Sequence, residues 1–274
     1  MPGRHQNVLY VGTHQGALMK WERSPDESQW NLRVTMWGHE RSVVSINACS
    51  YSWYRAIASI CQGGSLALWK ARDGTSIWRL NLRSLPHTEF TVPTMMRTSH
   101  SGHQLVVAGC SRFVHLVQVA TRAVRVVDLQ AWPRDMTFVI VKNAVSSPLL
   151  TPPSPSLLVE TPSRSGSAGR AIFLYVLSID NALKCYEWKY HHGSHDLIPQ
   201  LSCDVSLPLW MPSRLLDCPD PLVPRLLLLG DESQVLVYNI ESDGSCTVAG
   251  QQLISCPCHD DGDGDDDGDE GHQP

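Results

Sequence analysis

A strand–turn–strand pattern recurs five times along this chain and limits its fold more than any other feature. Each copy has an apolar strand, a short turn of Gly or polar residues, and an alternating strand that ends in an aromatic or apolar residue. The clear copies cover residues 8–21, 56–69 and 226–238, and the weaker ones cover 105–117 and 174–186. Alternation with period two at regular spacing predicts an all-β protein made of similar sheets.

The spacing of the copies indicates the size of the repeating unit. They end at Trp21, Trp69, about Val117, Tyr186 and Tyr238, so successive ends are 48, 48, 69 and 52 residues apart. The long step contains residues 146–169, where five prolines and many serines predict an inserted loop. Without about 20 of these residues, every step is near the ~40–45 residues of a WD-type propeller blade.

A Gly-His pair adds a second propeller signal. Gly38-His39 precedes the strand-like segment 43–46 and lies upstream of Trp69, the order found in a WD-repeat blade. We expect the His to reach back toward the Trp and a Ser, which makes His39 a structural hydrogen-bonding residue. Trp21, Trp69 and the other strand aromatics are expected to pack in the core and between blades. The copies are degenerate, since Trp-Asp never occurs and Gln62 stands where an Asp is common.

The predicted fold class is therefore all-β, a WD40-type β-propeller that is a partial ring with about five recognisable blade units. The predicted organisation places blade units 1–3 in residues 1–145 and the Pro/Ser-rich insertion in 146–169. Blade units 4 and 5 follow in 170–258, and a disordered acidic tail occupies 259–274.

The order of these features resembles one family. The segments that carry the likeness are 37–43, 58–69, 73–74, 114–121, 132–141 and 177–188. In order and spacing they resemble the N-terminal WD40 propeller of the rabconnectin-3 beta family, over roughly residues 8–210. The resemblance implies a non-enzymatic scaffold whose partners are a large WD-repeat alpha subunit and V-ATPase subunits. It also implies a role in regulating assembly of this proton pump, in the cytoplasm and peripherally on intracellular vesicles.

The charge distribution argues against a nucleic-acid partner. The chain has 22 Lys+Arg and 27 Asp+Glu, a net charge of −5, but eight of the acids lie between residues 260 and 270. The rest of the chain is nearly neutral and has no basic excess of the kind that nucleic-acid binding needs. No apolar run approaches the ~20 residues that span a bilayer. The polar first residues and nine scattered cysteines predict an unsecreted chain in a reducing, intracellular compartment.

Three short motifs invite a metal interpretation, and each is incomplete. Residues 263–268 match the start of a calcium loop, but its twelfth position is Pro274 and not Glu. Residues 256–259 read Cys-Pro-Cys-His, with Cys246 as a further candidate ligand, but lack the second ligand pair typical of zinc sites. The histidines of 191–195 lack the Glu of a zinc-protease helix. The sequence predicts no metal and no cofactor.

Two alternatives to the scaffold interpretation remain. The chain could be a generic WD40 adaptor in another complex, or a small propeller enzyme with a central-channel site. Each of the five copies is interpreted as the inner-strand unit of a blade, and such a site needs converging carboxylates or histidines at the starts of inner strands. The positions taken for these starts hold mostly side chains that do not titrate: Gly12, Gln62, Gly109, Ser178 and Gly230. No Gly-x-Ser-x-Gly elbow occurs either. The sequence therefore favours a protein that is not an enzyme and has no catalytic residues.

Overall fold

Nineteen β-strands and one short 3₁₀ helix (Leu82–Ser84) form the described part of this computed structural model. The structure describes residues 7–23, 28–85, 91–99, 101–142, 170–191, 194–205, 212–218, 224–230 and 234–253. The insertion predicted at 146–169 and the tail predicted at 259–274 lie outside these ranges. The 3₁₀ helix is too short to cross a membrane, and the described residues contain no other helix.

The strands form five antiparallel sheets, and each sheet takes its strands in chain order. The first sheet has three strands, β1 (Asn7–Gly12), β2 (Ala17–Arg23) and β3 (Asn31–Trp37). The second has β4 (Val43–Tyr51), β5 (Tyr54–Cys61), β6 (Ser65–Lys70) and β7 (Ser76–Asn81). The third has β8 (Pro93–Thr98), β9 (Gln104–Gly109), β10 (Phe113–Gln118) and β11 (Val124–Asp128).

The last two sheets are also four-stranded. The fourth has β12 (Pro133–Lys142), β13 (Arg170–Ser178), β14 (Leu183–His191) and β15 (Ser194–Val205). The fifth has β16 (Pro212–Cys218), β17 (Arg225–Gly230), β18 (Gln234–Ile240) and β19 (Cys246–Leu253). The insertion thus falls between β12 and β13 of a single sheet. The first strands of the four-stranded sheets pack against one another as the innermost strands, which is the arrangement of propeller blades. The predicted fold class is confirmed.

All five sequence repeats are β-hairpins: β1–β2, β5–β6, β9–β10, β13–β14 and β17–β18. Their interpretation as inner strands was wrong. Within each four-stranded sheet they are the second and third strands, because β4, β8, β12 and β16 lie nearer the centre. The first sheet follows the same plan with one position unfilled. The last strand of each four-stranded sheet leads into the innermost strand of the next, as β7 leads into β8. Because β3 leads into β4 in the same way, β3 corresponds to a fourth strand and β1 to a second strand. The described residues supply no innermost strand for this sheet.

The core consists of four clusters, each between two successive sheets. The largest clusters join the second to the third sheet and the fourth to the fifth, and another joins the third to the fourth. The cluster between the first two sheets is the smallest, with Leu18, Met36, Ile57, Ala67 and Trp69 as its buried members. None of the four clusters joins the fifth sheet to the first. The central strands β9 and β10 are therefore covered on both faces, whereas the described clusters cover the first sheet on one face.

The predicted core aromatics follow this plan with one exception. Trp69, Tyr186 and Tyr238 are buried, as expected. Trp21 is only half-buried and belongs to none of the four clusters, so its predicted core position was wrong. It pairs with Leu9 and Leu32, on the face of the first sheet that points away from the second. No described sheet covers that face.

Candidate protein-interaction faces

The antiparallel topology gives the molecule two faces of different construction. The turns between second and third strands, and the connections into each innermost strand, lie at one end of the sheets, which we term the loop face. The turns between first and second strands, and between third and fourth strands, lie at the other end, which we term the hairpin face. Side chains on both faces are presented by loops on a rigid frame, the usual place for binding residues.

The loop face is braced at the second sheet by a buried group of three side chains. Ser59 Oγ lies 2.7 Å from His39 Nε2 and accepts a hydrogen bond of 2.8 Å from Trp69 Nε1. The Arg79 guanidinium lies 5.4 Å from the centre of the Trp69 ring. The sequence-based expectation that His39 reaches back to a Trp and a Ser is confirmed. The role of these residues is to fix the connection between β3 and β4 against the blade.

Burial sets the protonation of His39. Desolvation, and then the positive charge of Arg79, lower the pKa of His39 to about 4. The imidazole is therefore neutral at physiological pH, and the described residues give its Nδ1 no hydrogen-bond partner. A neutral, buried ring of this kind suits a structural role, because a general base must reach its substrate.

The first and second sheets are linked across the loop face by a tight backbone approach. Gly16 has a φ of +84°, and a Cβ atom at this position would lie 2.1 Å from the carbonyl oxygen of His39. Beside it, His14 Nδ1 is hydrogen-bonded to Ser42 Oγ. With Gln15, Arg41 and Gln62, these two side chains line an open depression of about 500 Å³. Gln62 is exposed there, not inside a channel.

Large apolar side chains are exposed along the same face. Trp37, at the end of β3, is 61 % exposed, and Trp132, before β12, is 52 % exposed. Ile179, after β13, is 50 % exposed and donates its backbone N–H to the carbonyl oxygen of Trp132 at 2.9 Å. Val92, before β8, is also exposed. Exposed Trp side chains on fixed loops are the residues that protein interfaces favour.

A buried ion pair near the centre was not predicted from the sequence. Asp135 of β12 is 1 % exposed, and its Oδ1 lies 2.5 Å from Arg97 Nη2 of β8. Its Oδ2 accepts the backbone N–H of Leu215 in β16 at 2.9 Å. Arg97 Nε also donates to the Met136 carbonyl oxygen at 2.6 Å. The Asp135 carboxylate thus links the innermost strands β8, β12 and β16, and both of its oxygens accept hydrogen bonds.

A central-channel site needs converging carboxylates or histidines, and two or more buried carboxylates there would favour the enzyme hypothesis. Among the residues whose side-chain burial is described, which excludes those of β15, Asp135 is the one buried carboxylate. The positions examined for a channel site lie elsewhere: Gly12, Gln62, Gly109, Ser178 and Gly230 end second strands or occupy the following turns on the loop face. Placing them at inner-strand starts was wrong because the repeats are second and third strands.

The metal motifs fall mostly beyond the described residues, which contain no group of three or more potential His, Cys, Asp or Glu ligands. Residues 256–259 and 263–268 lie outside the described ranges. Cys246, the first residue of β19, is part of no such group. Burial raises the pKa of the Cys49 thiol to about 12, so that thiol is a core residue and not a reactive one.

Comparison with known proteins supports the fold and gives no family. No family model matches the sequence, and no curated protein matches it. Among solved structures, the β-propeller domain of Cps50 (Swd1) from Myceliophteria thermophila has a TM-score of 0.50 and 12 % sequence identity. The match covers 89 % of this chain and 68 % of that one. Together with the His39–Ser59–Trp69 group, this likeness shows that the chain has the fold of a WD-repeat β-propeller.

Proposed function

We propose that this protein is a non-enzymatic scaffold that binds other proteins through its loop face. The observation that carries the proposal is the row of exposed apolar side chains on successive loops, with Trp37 and Trp132 as its largest members. Burial of a Trp side chain against a partner removes a large apolar area from water, and the rigid frame limits the entropy lost on binding. The buried carboxylate Asp135 is engaged by Arg97 and by a backbone N–H, so it supports the frame.

In its specific form, the proposal is a role like that of the rabconnectin-3 beta family. The partners would be a large WD-repeat alpha subunit and V-ATPase subunits, and the place would be the cytoplasmic surface of intracellular vesicles. Its support is the order of features from the 37–43 segment to the 177–188 segment, which the five-sheet fold accommodates. The general form, an adaptor in another complex, needs only the loop face.

Affinity purification of the full chain from cells tests both forms. We expect the unmodified chain to recover pump subunits and a large WD-repeat protein, and the double variant Trp37→Ala/Trp132→Ala to lose them. Trp30→Ala is the matched control, because Trp30 is an exposed Trp before β3 that stacks with Arg23 away from the loop face. A comparable thermal transition for all three chains shows that each is folded.

The outcomes separate the two forms. Recovery of other proteins that the double variant loses, without pump subunits, supports the general form and overturns the specific one. Equal recovery by the double variant and the unmodified chain overturns the loop face as the binding surface.

A further inference from the structure

A cleft of about 970 Å³ opens on the hairpin face, opposite the proposed binding surface. It lies between the first two sheets and the turn that joins β8 to β9. Val8 and Tyr10 of β1 line one side, and Tyr54 and Ile57 of β5 line another. This volume is at the upper end of ordinary ligand sites, which combine apolar walls with a few polar groups.

Hydrogen bonds between separate elements hold the walls of this cleft. The Tyr10 hydroxyl donates to the Ala71 carbonyl oxygen at 2.8 Å, and Lys20 Nζ donates to that of Arg72 at 2.9 Å. On the other side, the Ser50 N–H donates to the Gly102 carbonyl oxygen at 2.9 Å. Gly102 has a φ of +73°, and a Cβ atom there would lie 2.9 Å from Ser50 N. The cleft is therefore formed before a ligand arrives, which lowers the cost of binding.

The rim of the cleft is positively charged, although the chain as a whole has a net charge of −5. Arg55, Lys70 and Arg72 line the cleft and are exposed, against a single lining carboxylate, Asp73. Lys20 is buried and is neutralised by Glu22 at 2.7 Å, so it adds no free charge. Three cations around apolar walls complement a ligand with carboxylates on either side of an apolar group.

An exposed indole stands beside the cleft. Trp53 is 93 % exposed, at the tip of the β4–β5 hairpin. Its neighbours Tyr51 and Tyr54 support the tip, with their ring centres 5.5 Å apart, and Tyr54 lines the cleft. A Trp in this position enlarges the surface that a peptide leaving the cleft would cover.

We propose that this cleft binds an acidic peptide segment of another protein. A bulky apolar side chain of that segment enters between Tyr10 and Tyr54, and its carboxylates pair with Arg55, Lys70 and Arg72. A peptide fits better than a nucleic acid, because binding to a phosphate backbone draws on many Lys and Arg contacts and this rim supplies three cations. The inference goes beyond the proposed function, since it assigns a second surface and the chemistry of its ligand.

Selection from a random peptide library displayed on phage, with the full chain as bait, tests this inference. We expect the enriched peptides to combine Asp or Glu with a bulky apolar residue, and their affinity to fall as salt rises. Affinity should fall about tenfold or more for Arg55→Glu/Lys70→Glu and should also fall for Trp53→Ala. Arg41→Glu is the matched control for the single variant Arg55→Glu, because each reverses one exposed cation and Arg41 lies on the opposite face.

Three outcomes would overturn the proposal. Enriched peptides without acidic residues would contradict the charge argument. An equal loss with Arg41→Glu would show that overall charge, and not the cleft, governs binding. Stronger binding of a synthetic peptide of residues 259–274 than of any selected peptide would assign the cleft to the chain's own acidic end. The Trp37→Ala/Trp132→Ala variant should bind the selected peptides normally, which separates this test from that of the loop face.

Discussion

Ser59 lies between His39 and Trp69, and its hydroxyl serves both side chains. The order of Gly38, His39 and Trp69 was sufficient to predict that these residues meet. It did not show that His39 Nδ1 would be buried without a partner, because that depends on what the neighbouring turn places against the ring. The exposed Trp side chains were equally hard to predict, since an alternating strand pattern does not show which residues face the end of a sheet.

Removal of the Ser59 hydroxyl should cost stability. In Ser59→Ala, the indole N–H of Trp69 and Nε2 of His39 lose their buried partner, so we expect the free energy of unfolding to fall by about 1–3 kcal/mol. Urea denaturation measures this change. Ser76→Ala, an exposed Ser at the start of β7, should change it by less than about 0.5 kcal/mol. Equal effects of the two substitutions would contradict the bracing role of Ser59.

Stability should also fall as the pH falls below about 6.5. Burial lowers the pKa of His39 to about 4, and burial lowers the pKa of His115 as well. Between about pH 6.5 and pH 5, the unfolded chain binds protons that the folded chain does not, so acid favours unfolding. His39 contributes up to about 1.4 kcal/mol per pH unit in that window, and His115 adds to the dependence in the same direction.

His39→Gln isolates the contribution of one ring to this pH dependence. Denaturation curves across the window should show a smaller slope for His39→Gln than for the unmodified chain, with the remainder due in part to His115. An unchanged slope would mean that His39 binds protons equally in the folded and the unfolded chain, which would contradict a lowered pKa.

Polar side chains join the innermost strands to one another, whereas the hairpins of second and third strands pack mainly through apolar residues. Asn47 of β4 donates to the Met96 carbonyl oxygen of β8 at 2.7 Å, and Asp135 continues the series from β8 to β16. For this reason the second and third strands were predictable as apolar repeats, while β8 and β16 were not recognised. Polar residues that bond to the next innermost strand interrupt the apolar alternation on which strand prediction depends.

Asp135→Asn should therefore be much more harmful than a similar change at the edge of the sheet. It leaves the Arg97 guanidinium near the centre without a counterion, and we expect the free energy of unfolding to fall by about 3 kcal/mol. This value is near the low end for a broken buried ion pair, because the Arg97 side chain is partly exposed to solvent. Asp128→Asn removes an exposed pair with Arg112 and should cost less than about 1 kcal/mol. Thermal and urea unfolding of both variants provides the comparison, and similar losses would refute the central role of Asp135.

The first sheet should be the least stable of the five. It has three described strands, the smallest core cluster, and an inner edge of β1 without a partner strand among the described residues. We expect its amides to exchange with deuterium before those of β9 and β10, which are buried on both faces. Mass spectrometry of peptides from residues 7–37 and 104–118 measures the difference. Equal protection would show that another part of the protein covers the first sheet.

The five sheets form a series in which each blade covers the next, and the two ends of the series differ from its middle. The number of repeats and their common length predicted the fold, because every copy had to be part of one similar sheet. The boundaries predicted for the blade units, the insertion and the tail remain predictions. What the pattern could not predict is how much of each outer surface stays apolar: Leu9 and Leu32 of the first sheet and Leu216 of the fifth are exposed.

These uncovered faces should make the chain associate with itself as its concentration rises. The double variant Leu9→Lys/Leu32→Lys places charges on the free face of the first sheet and should shift sedimentation toward the monomer. Val126→Lys, an exposed position on β11, is the control and should leave sedimentation unchanged. A chain that is monomeric at all concentrations would show that these faces are covered.

The small cluster beneath the first sheet also relates folding to protein synthesis. Its members Ile57, Ala67 and Trp69 are translated after all three strands of that sheet. On the ribosome, we therefore expect the face of β1–β3 that this cluster covers to gain its second-sheet neighbours only after β6 has left the exit tunnel. We expect each later blade to pack in turn against the one translated before it.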